Sequence, residues 1–381
     1  MTLAASDFAA ALERDGVPCE DLRGVSALVP EDEEQLLLVL ERAARERQRL
    51  VPVGGGTKLG WCRPDALAAE GALALSTRRL AGIVAYEPGD GTLTALGGTR
   101  MGELEAATRA GGHRLTPDVP GAEVATLGGV LGAGLSGPDR LRFGPVRHHV
   151  LGMRVALADG TVAKSGGRLV KNVTGFDLHR LYCGSRGTLA VILEASLRLF
   201  ALPERELGLT WTFDDARAAL DAALELRARP LSPVSVTVEN RGGPWRLHVF
   251  LAGRARQVEA ERDAARGLGA PEAEVDGDEA RAAARRARDL ACVGGRWPDL
   301  RLATRPSAIG TELAPFIEGG GEVGVVIQPG IATAELFFEP GRATSRPASD
   351  VPHGAARWME RLRAAFDPDG IFASPSFPPR P

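Results

Sequence analysis

The stretch VPVGGGTKLG, residues 51–60, sets three consecutive glycines, a threonine and a lysine directly after a short apolar run. Successive glycines let a backbone come close to a ligand, and their amides can line an anion. The same composition also makes an ordinary tight turn, so the neighbours must separate the two readings. Upstream, VSALVP reads as a strand, EDEEQLLLVLERAARERQR as a helix with acids in its first turn and arginines toward its end, and LVPV as a second strand. A Walker loop needs GxxxxGK[ST], whereas here threonine precedes lysine and no spaced upstream glycine is present. GxGxxG can be laid on Gly54 and Gly56 only loosely. A Rossmann loop opens directly into a helix, and WCRPDALAAEGALALST, with Pro64 and a break at Gly71, reads against a long one. The loop is expected to follow strand, helix, strand and to owe nothing to a helix dipole.

The 381 residues exceed the usual size of one hydrophobic core, so two domains are expected. Lys plus Arg number 46 against 49 Asp plus Glu, a net charge of -3, which gives no global attraction to nucleic acid or anionic lipid and favours a small-molecule ligand. The four cysteines, Cys19, Cys62, Cys183 and Cys292, show no CxxC spacing, so neither an iron-sulfur cluster nor a zinc site is expected. MTLAASDFAAALERDG carries acids and does not read as a signal peptide, and no apolar run approaches membrane-spanning length. The expected location is cytoplasmic, with reduced thiols. Many of the 47 glycines bunch between residues 54 and 187, which suggests backbone held against a ligand.

Downstream, GIVAYEP and GTLTALGG read as strands and TRMGELEAATRAGG as a helix ended by glycines. From LTPDVPGAEVATLGG through RFGPVRHHV the chain reads as a long irregular segment wrapped on a ligand, leading into the hairpin GMRVALADGTVAK. CGSRGTLAVILEASLRLF then feeds a strand. After ALPERE the order becomes strand, helix, strand, strand, helix, which is ferredoxin-like, followed by an Ala/Arg-rich helix and strands at LRLATR, EVGVVIQ and TAELFFE. PGRATSRPASDVP reads as an exposed loop, and HGAARWMERLRAAFDPDG closes as a helix.

Five segments in this order, VPVGGGTKLG, ATLGGVLGAGLSG, RFGPVRHHVLGMRVALADG, KNVTGFDLHRLYCGSRGTLAVILEASLRL and AAFDPDGIF, resemble the vanillyl-alcohol-oxidase type of FAD flavoproteins, and among them the FAD-binding subunits of bacterial glycolate oxidases. The likeness is strong over about residues 25–203, weak through the second domain, and returns at the last helix. It implies an α+β fold: a two-subdomain PCMH-type FAD-binding domain over 1–203, a ferredoxin-like α+β cap over 204–350, and a C-terminal helix and tail, 351–381, returning to the FAD domain.

The resemblance also implies the site. Pro52, Val53, Gly54, Gly55, Gly56, Thr57 and Lys58 would wrap the FAD pyrophosphate as an anion nest, with Lys58 facing solvent and Gly55→Val obstructing the ligand in a protein that stays folded. Pro117, Asp118, Ala125, Thr126, Gly128 and Gly129 would line the flavin ring and ribityl chain, Ser136, Arg142 and Phe143 would continue that wall, and Gly187 and Ile192 would face the cofactor. For Arg142 an ordinary turn and a cofactor contact weigh equally. Lys171, Asn172, Asp177 and His179 form a polar set read as structural, with Asp177 capping a helix and Lys171 pairing with an acid. His113, His148 and His149 belong to no recognised flavinylation motif, so noncovalent FAD is expected.

Catalytic relatives of this kind carry an HxGDGNxH-like motif, and the comparable region here, GEVGVVIQPGIATAELFF, holds no histidine; His248 and His353 are distant from one another in sequence. The terminal FASPSF also departs from the NPG of the family, which removes a side-chain contact usual there. The expectation is an FAD-binding subunit of a glycolate oxidase-like complex that oxidises a 2-hydroxy acid, with the acid/base group on a catalytic flavoprotein partner and an iron-sulfur subunit taking the electrons. The alternatives are a self-sufficient FAD oxidase or dehydrogenase, and a structural subunit that has lost flavin.

Overall fold

In the computed structural model the described residues are 5–59, 71–168, 175–290, 298–317, 324–338 and 353–373. The chain begins with helix α1 (Ala5–Arg14), strands β1 (Cys19–Asp21) and β2 (Ser26–Leu28), helix α2 (Glu33–Glu46), and strands β3 (Leu50–Val53) and β4 (Leu73–Ser76). Helix α2 starts where it does because the Asp32 carboxylate accepts from the Gln35 amide at 2.8 Å, and it stops at Arg47, which turns left-handed at φ 55°. Its Leu36, Val39, Leu40 and Ala43 recur at helical spacing and bury one stripe, each leucine contributing roughly 1.5–3 kcal/mol. That stripe meets Phe8 and Leu12 of α1 and Leu50 and Leu75 of the sheet. The sheet order is β1-β2-β4-β3, with β2, β4 and β3 parallel, so the later strand β4 inserts between β2 and β3.

A second sheet uses β5 (Ile83–Glu87) and β6 (Thr92–Leu96). Strand β7 (His113–Arg114) lies apart, and β8 (Val150–Ala156), β9 (Val162–Gly166) and β10 (Val191–Arg198) complete the sheet in the antiparallel order β5-β6-β10-β8-β9. Strand β11 (Phe200–Ala201) pairs with β7. Strand β10 bulges between Ile192 and Glu194. The extra residue reverses which face the side chains take. Val191 and Leu193 therefore pack toward α1 and α2, while Ala195 and Leu197 join the core on the other side.

That other core is covered by α3 (Met101–Ala110) and α4 (Leu127–Ala133). Helix α4 corrects the reading of this region as irregular: LGGVLGA is helical in spite of its three glycines, two of which, Gly128 and Gly129, stand in tight contact with neighbouring segments. A β-carbon on Gly128 would stand 3.0 Å from the Gly97 oxygen, and one on Gly129 would stand 3.1 Å from Thr126 Oγ1. Two short helices follow, α5 (Arg140–Phe143) and α6 (Leu178–Tyr182).

The remaining strands, β12 (Arg205–Phe213), β13 (Ser235–Asn240), β14 (Trp245–Gly253), β15 (Ala273–Asp276), β16 (Leu300–Ala303), β17 (Gly324–Gln328) and β18 (Thr333–Phe337), form one antiparallel sheet in the order β15-β12-β14-β13-β17-β18-β16. With α7 (Ala216–Ala228) and α8 (Ala255–Ala265), its first four strands make the ferredoxin-like β-α-β-β-α-β unit, and β17, β18 and β16 extend it. Side chains alternate between its faces. Leu207, Leu209, Val236, Val238, Leu247, Val249 and Ile327 pack one way, against α7, α8 and α10 (Ile309–Ile317). The opposite, polar face is partly covered by α9 (Gly277–Asp289), where Ala280 meets Phe250, Ala252 and Phe143.

The last helix, α11 (His353–Phe366), returns to the first half of the chain, with Phe366 against Tyr182 at 5.9 Å between ring centroids. The Asp367 carboxylate then accepts from the amides of Ile371 and Phe372 at 2.8 and 2.7 Å, and Phe372 pairs in parallel beside Leu50. Several expectations lie outside the described residues: the absence of a long helix over 60–70, the roles of Lys171 and Asn172, the loop at 340–352 and the tail beyond Ala373. Among the described residues no helix is long and apolar enough to cross a membrane.

Candidate cofactor site

Strand β3 delivers the glycine loop to the mouth of an open cavity of about 720 Å³, at the seam between the two small sheets. The loop is fixed from below. Ser76 Oγ donates to the Gly54 carbonyl at 3.1 Å, and the Thr77 amide donates to that of Val53 at 2.9 Å. It is also locked from the side: a β-carbon on Gly54 would collide with Thr126 Oγ1, and one on Gly55 with the Val124 carbonyl oxygen. Two glycines are thus required by the protein itself. Their missing side chains let the loop lie flat on residues 124–126. Among the described residues no hydrogen bond engages the amides of Gly55 and Gly56.

The facing wall is α4, capped by Thr126, whose Oγ1 accepts from the Gly129 amide at 3.3 Å. The Gly128 amide donates to the Gly97 carbonyl at 2.7 Å, and the Gly97 amide donates to that of Leu193 at 2.7 Å, which ties the helix to the bulged strand. A third wall is the turn at 184–187, held on α4 by bonds from the Gly184 amide to the Leu131 carbonyl and from the Arg186 amide to that of Gly132. Arg186 and Gly187 are both left-handed, at φ 56° and 69°.

The structure brings Pro52, Val53, Gly54, Gly55, Gly56, Thr57, Lys58, Thr126, Gly128, Gly129, Gly187 and Ile192 together on this one cavity. Lys58 departs from expectation. It is only 7% exposed, donates to Thr57 Oγ1 at 2.9 Å and lines the cavity instead of facing solvent. Sequence reasoning missed Arg186 and Gly132, which also line it. The signal for Arg186 was its place inside the small-residue turn GSRGT, where a long cation has no packing role. Lys58 and Arg186 are the charged side chains on the described lining and no carboxylate joins them, a donor set suited to a diphosphate.

Pro117 and Asp118 lie elsewhere, in a second cavity of about 680 Å³ between α3 and α9. Burial and the neighbouring Asp139 push the Asp118 carboxyl well above the usual range, against the pull of Arg288 and Arg114. Arg114 pairs with Asp139 and lies 3.8 Å from Glu206, which also takes Arg109 at 3.3 Å and Arg281. This is a charge network joining α3 and β7 to the large sheet. Ala125 is in the core, with its carbonyl accepting from the Met101 amide, and Ser136 Oγ accepts from the Val146 amide at 2.8 Å. Arg142 donates to the carbonyls of Ser232 and Ala252 at 3.1 and 2.6 Å, and Phe143 packs tilted against Phe200 at 4.9 Å between ring centroids. These four line neither cavity.

The histidines are also dispersed. His113 bonds to the Tyr86 hydroxyl at 2.8 Å and borders the second cavity, while buried His149 sits edge-on to Phe200. His179 packs on Ser165. Asp177 occupies the N-cap position of α6, but its carboxylate pairs with Arg180 at 3.3 Å and makes no cap bond, which corrects the capping expectation. Burial pushes the Cys183 thiol up to about 12, which favours its protonated form.

Residues 26–166 match the FAD binding domain family. The chain is 33% identical over 231 residues to glycolate oxidase subunit GlcE of Escherichia coli, a match covering 60% of this chain and 63% of that protein. It is 29% identical over 213 residues to glycolate oxidase subunit GlcD of Bacillus subtilis, covering 55% and 44%. The chain thus spans about half the length of these relatives. Among solved structures, xylooligosaccharide oxidase from Myceliophthora thermophila superposes with a TM-score of 0.74 at 14% identity over 98% of each chain, which establishes a shared fold. Residues 26–166 of this chain thus make up an FAD binding domain.

Proposed function

We propose that the chain takes part in flavin-dependent oxidation of a small 2-hydroxy acid to a 2-oxo acid, as the FAD-binding subunit of a glycolate oxidase-like assembly. The observation that carries the reading is the glycine-loop cavity, walled by three segments, with Lys58 and Arg186 on its lining. In this reading the loop amides, Lys58 and Arg186 hold the FAD diphosphate without a covalent link. Residues 1–203 form the FAD domain, 204–350 the cap and 351–381 the returning tail. FAD supplies the two-electron acceptor. The match to two differently named glycolate oxidase subunits supports a flavoprotein partner, and the lack of cluster-type cysteine spacing favours an iron-sulfur partner for onward transfer.

The test is an absorbance spectrum of the purified chain, recorded before and after anaerobic addition of glycolate. Bound flavin near one per chain, bleached by the hydroxy acid, is the expected result. A colourless chain that cannot be reconstituted with FAD sinks the reading.

A further inference from the structure

The second cavity, of about 680 Å³, shares no lining residue with the glycine-loop cavity, and the proposed oxidation leaves it unused. Its walls come from elements far apart in the chain. Helix α3 and strand β7 supply Glu105, Arg109 and Arg114, and helix α9 supplies Arg281, Arg285 and Arg288. With Ala284, the last three fill the i, i+3, i+4, i+7 pattern of a single helix face. On a helix that packs against its neighbour such a face is apolar. Here three of the four positions carry guanidinium groups, and Arg288 is only 9% exposed.

The carboxyl groups on the described lining do not neutralise these cations. Glu206 takes Arg109 and Arg281, Asp139 takes Arg114, and Glu105 takes Arg285 and stands 4.0 Å from Arg288. The fourth carboxyl, Asp118, is different: burial and the adjoining Asp139 favour its protonated form. With Asp118 and His113 neutral, five arginines face three carboxylates, a surplus of two positive charges. Asp278 and Asp289 also reach Arg281 and Arg288, but their side chains are 91% and 47% exposed, where water screens the attraction. Asp118 Oδ1 is itself buried without a hydrogen-bond partner. It stands 4.0 Å from Arg288 Nε, too far for a hydrogen bond. An unpaired buried oxygen beside surplus guanidinium groups marks a place built for polar atoms from outside the chain.

We propose that this cavity binds a small phosphate-type dianion, free phosphate or the phosphoryl group of a small monoester, held by Arg109, Arg285 and Arg288 with Asp118 donating a hydrogen bond. The charge agrees, since two negative charges meet a surplus of two positive ones. The shape agrees as well. Guanidinium groups approach from both the α3 side and the α9 side, and a tetrahedral anion presents oxygens in every direction, whereas a carboxylate presents two in one plane. Arg114 lends its charge from a fixed position, with its guanidinium carbon 5.5 and 5.6 Å from the ring centroids of Phe143 and Phe250. The bound anion ties α9 to α3, two elements whose paired residues Glu105 and Arg285 lie 180 positions apart. The site does not depend on the oxidation proposed above.

Calorimetry on the full chain as purified, in chloride buffer of constant ionic strength, tests this with inorganic phosphate, glycerol 3-phosphate and malonate. The tighter of the two phosphate compounds identifies the source of the group, and it should bind about tenfold or more tightly than malonate, a dianion with no tetrahedral centre. Arg285→Met should weaken that binding about tenfold and leave the flavin content unchanged. Glu105→Gln removes a carboxylate that competes for Arg285, and it should tighten binding about threefold or more, a gain that a purely structural ion pair does not produce. Where Arg285→Met fails to fold, Glu105→Gln decides alone. Phosphate should also raise the Tm of the wild type more than that of Arg285→Met. Malonate binding as tight as phosphate, or phosphate affinity unchanged in Glu105→Gln, overturns the site. Loss of phosphate binding in Lys58→Met would put the anion in the glycine-loop cavity and overturns it too.

Discussion

The carbonyl oxygen of Val124 occupies the space that a β-carbon on Gly55 would need. The glycine is therefore required by the chain's own backbone before any ligand is considered, and Gly55→Val no longer isolates ligand binding. Gly55→Ala is expected to destabilise the fold by about 1–3 kcal/mol through overpacking, seen as a lower Tm whether or not FAD is added. Gly132 is the cleaner probe. It lines the same cavity, and a β-carbon there would meet only the Gly187 amide nitrogen, at 4.0 Å. Gly132→Leu should keep the fold by circular dichroism and purify without flavin. A Gly132→Leu protein that is as yellow as wild type would place the cofactor elsewhere.

Lys58 provides the second prediction. Its ammonium is buried beside Thr57 on the wall of the glycine-loop cavity, and in the proposed reading it holds the FAD diphosphate there. Lys58→Met keeps the stem and removes the charge. Charge-assisted hydrogen bonds contribute about 1.5–3 kcal/mol, so FAD should bind roughly tenfold to a hundredfold more weakly, with little change in the flavin-free Tm. Flavin titration of apoprotein at two salt concentrations checks this. Equal affinity for both proteins would return Lys58 to a purely structural role.

The third prediction concerns stability and pH. The Glu335 carboxyl is raised by burial from 4.5 to about 7 in the folded chain. Between those values the folded state binds more protons than the unfolded one, so stability falls as pH rises through that window, by about 3 kcal/mol in all. Glu335→Gln removes the penalty. It should melt at a similar temperature to wild type near pH 4.5 and at a higher one near pH 8, and melting curves across that range measure the gap. A gap that is constant with pH would show that Glu335 keeps an ordinary carboxyl.

Much of the FAD domain was legible in the sequence because its signals are local. Helix α2 announces itself through Asp32, its acidic first turn and the Leu36, Val39, Leu40 and Ala43 stripe, and the loop through its three glycines. Helix α4 was not legible. LGGVLGA has poor helix propensity, and its glycines are explained only by contacts with Gly97 and Thr126. Strand β15 was missed for a related reason. AEVD is short, acidic and at a sheet edge, and it becomes a strand only by pairing with β12.

Of the glycine-loop cavity, residues adjacent in sequence were found together, whereas Arg186 and Gly132 join it through bonds between the 184–187 turn and α4. A similar separation in sequence holds for Arg114, Glu206 and Arg285, which no motif connects although they line one cavity. By itself the sequence determined the α+β order of elements and the glycine-rich loop between strands, because capping, periodicity and glycine content act within a few residues. Only the tertiary structure decided that Lys58 turns inward and that five arginines meet around the second cavity, because burial and cavity walls depend on chain segments far apart in sequence.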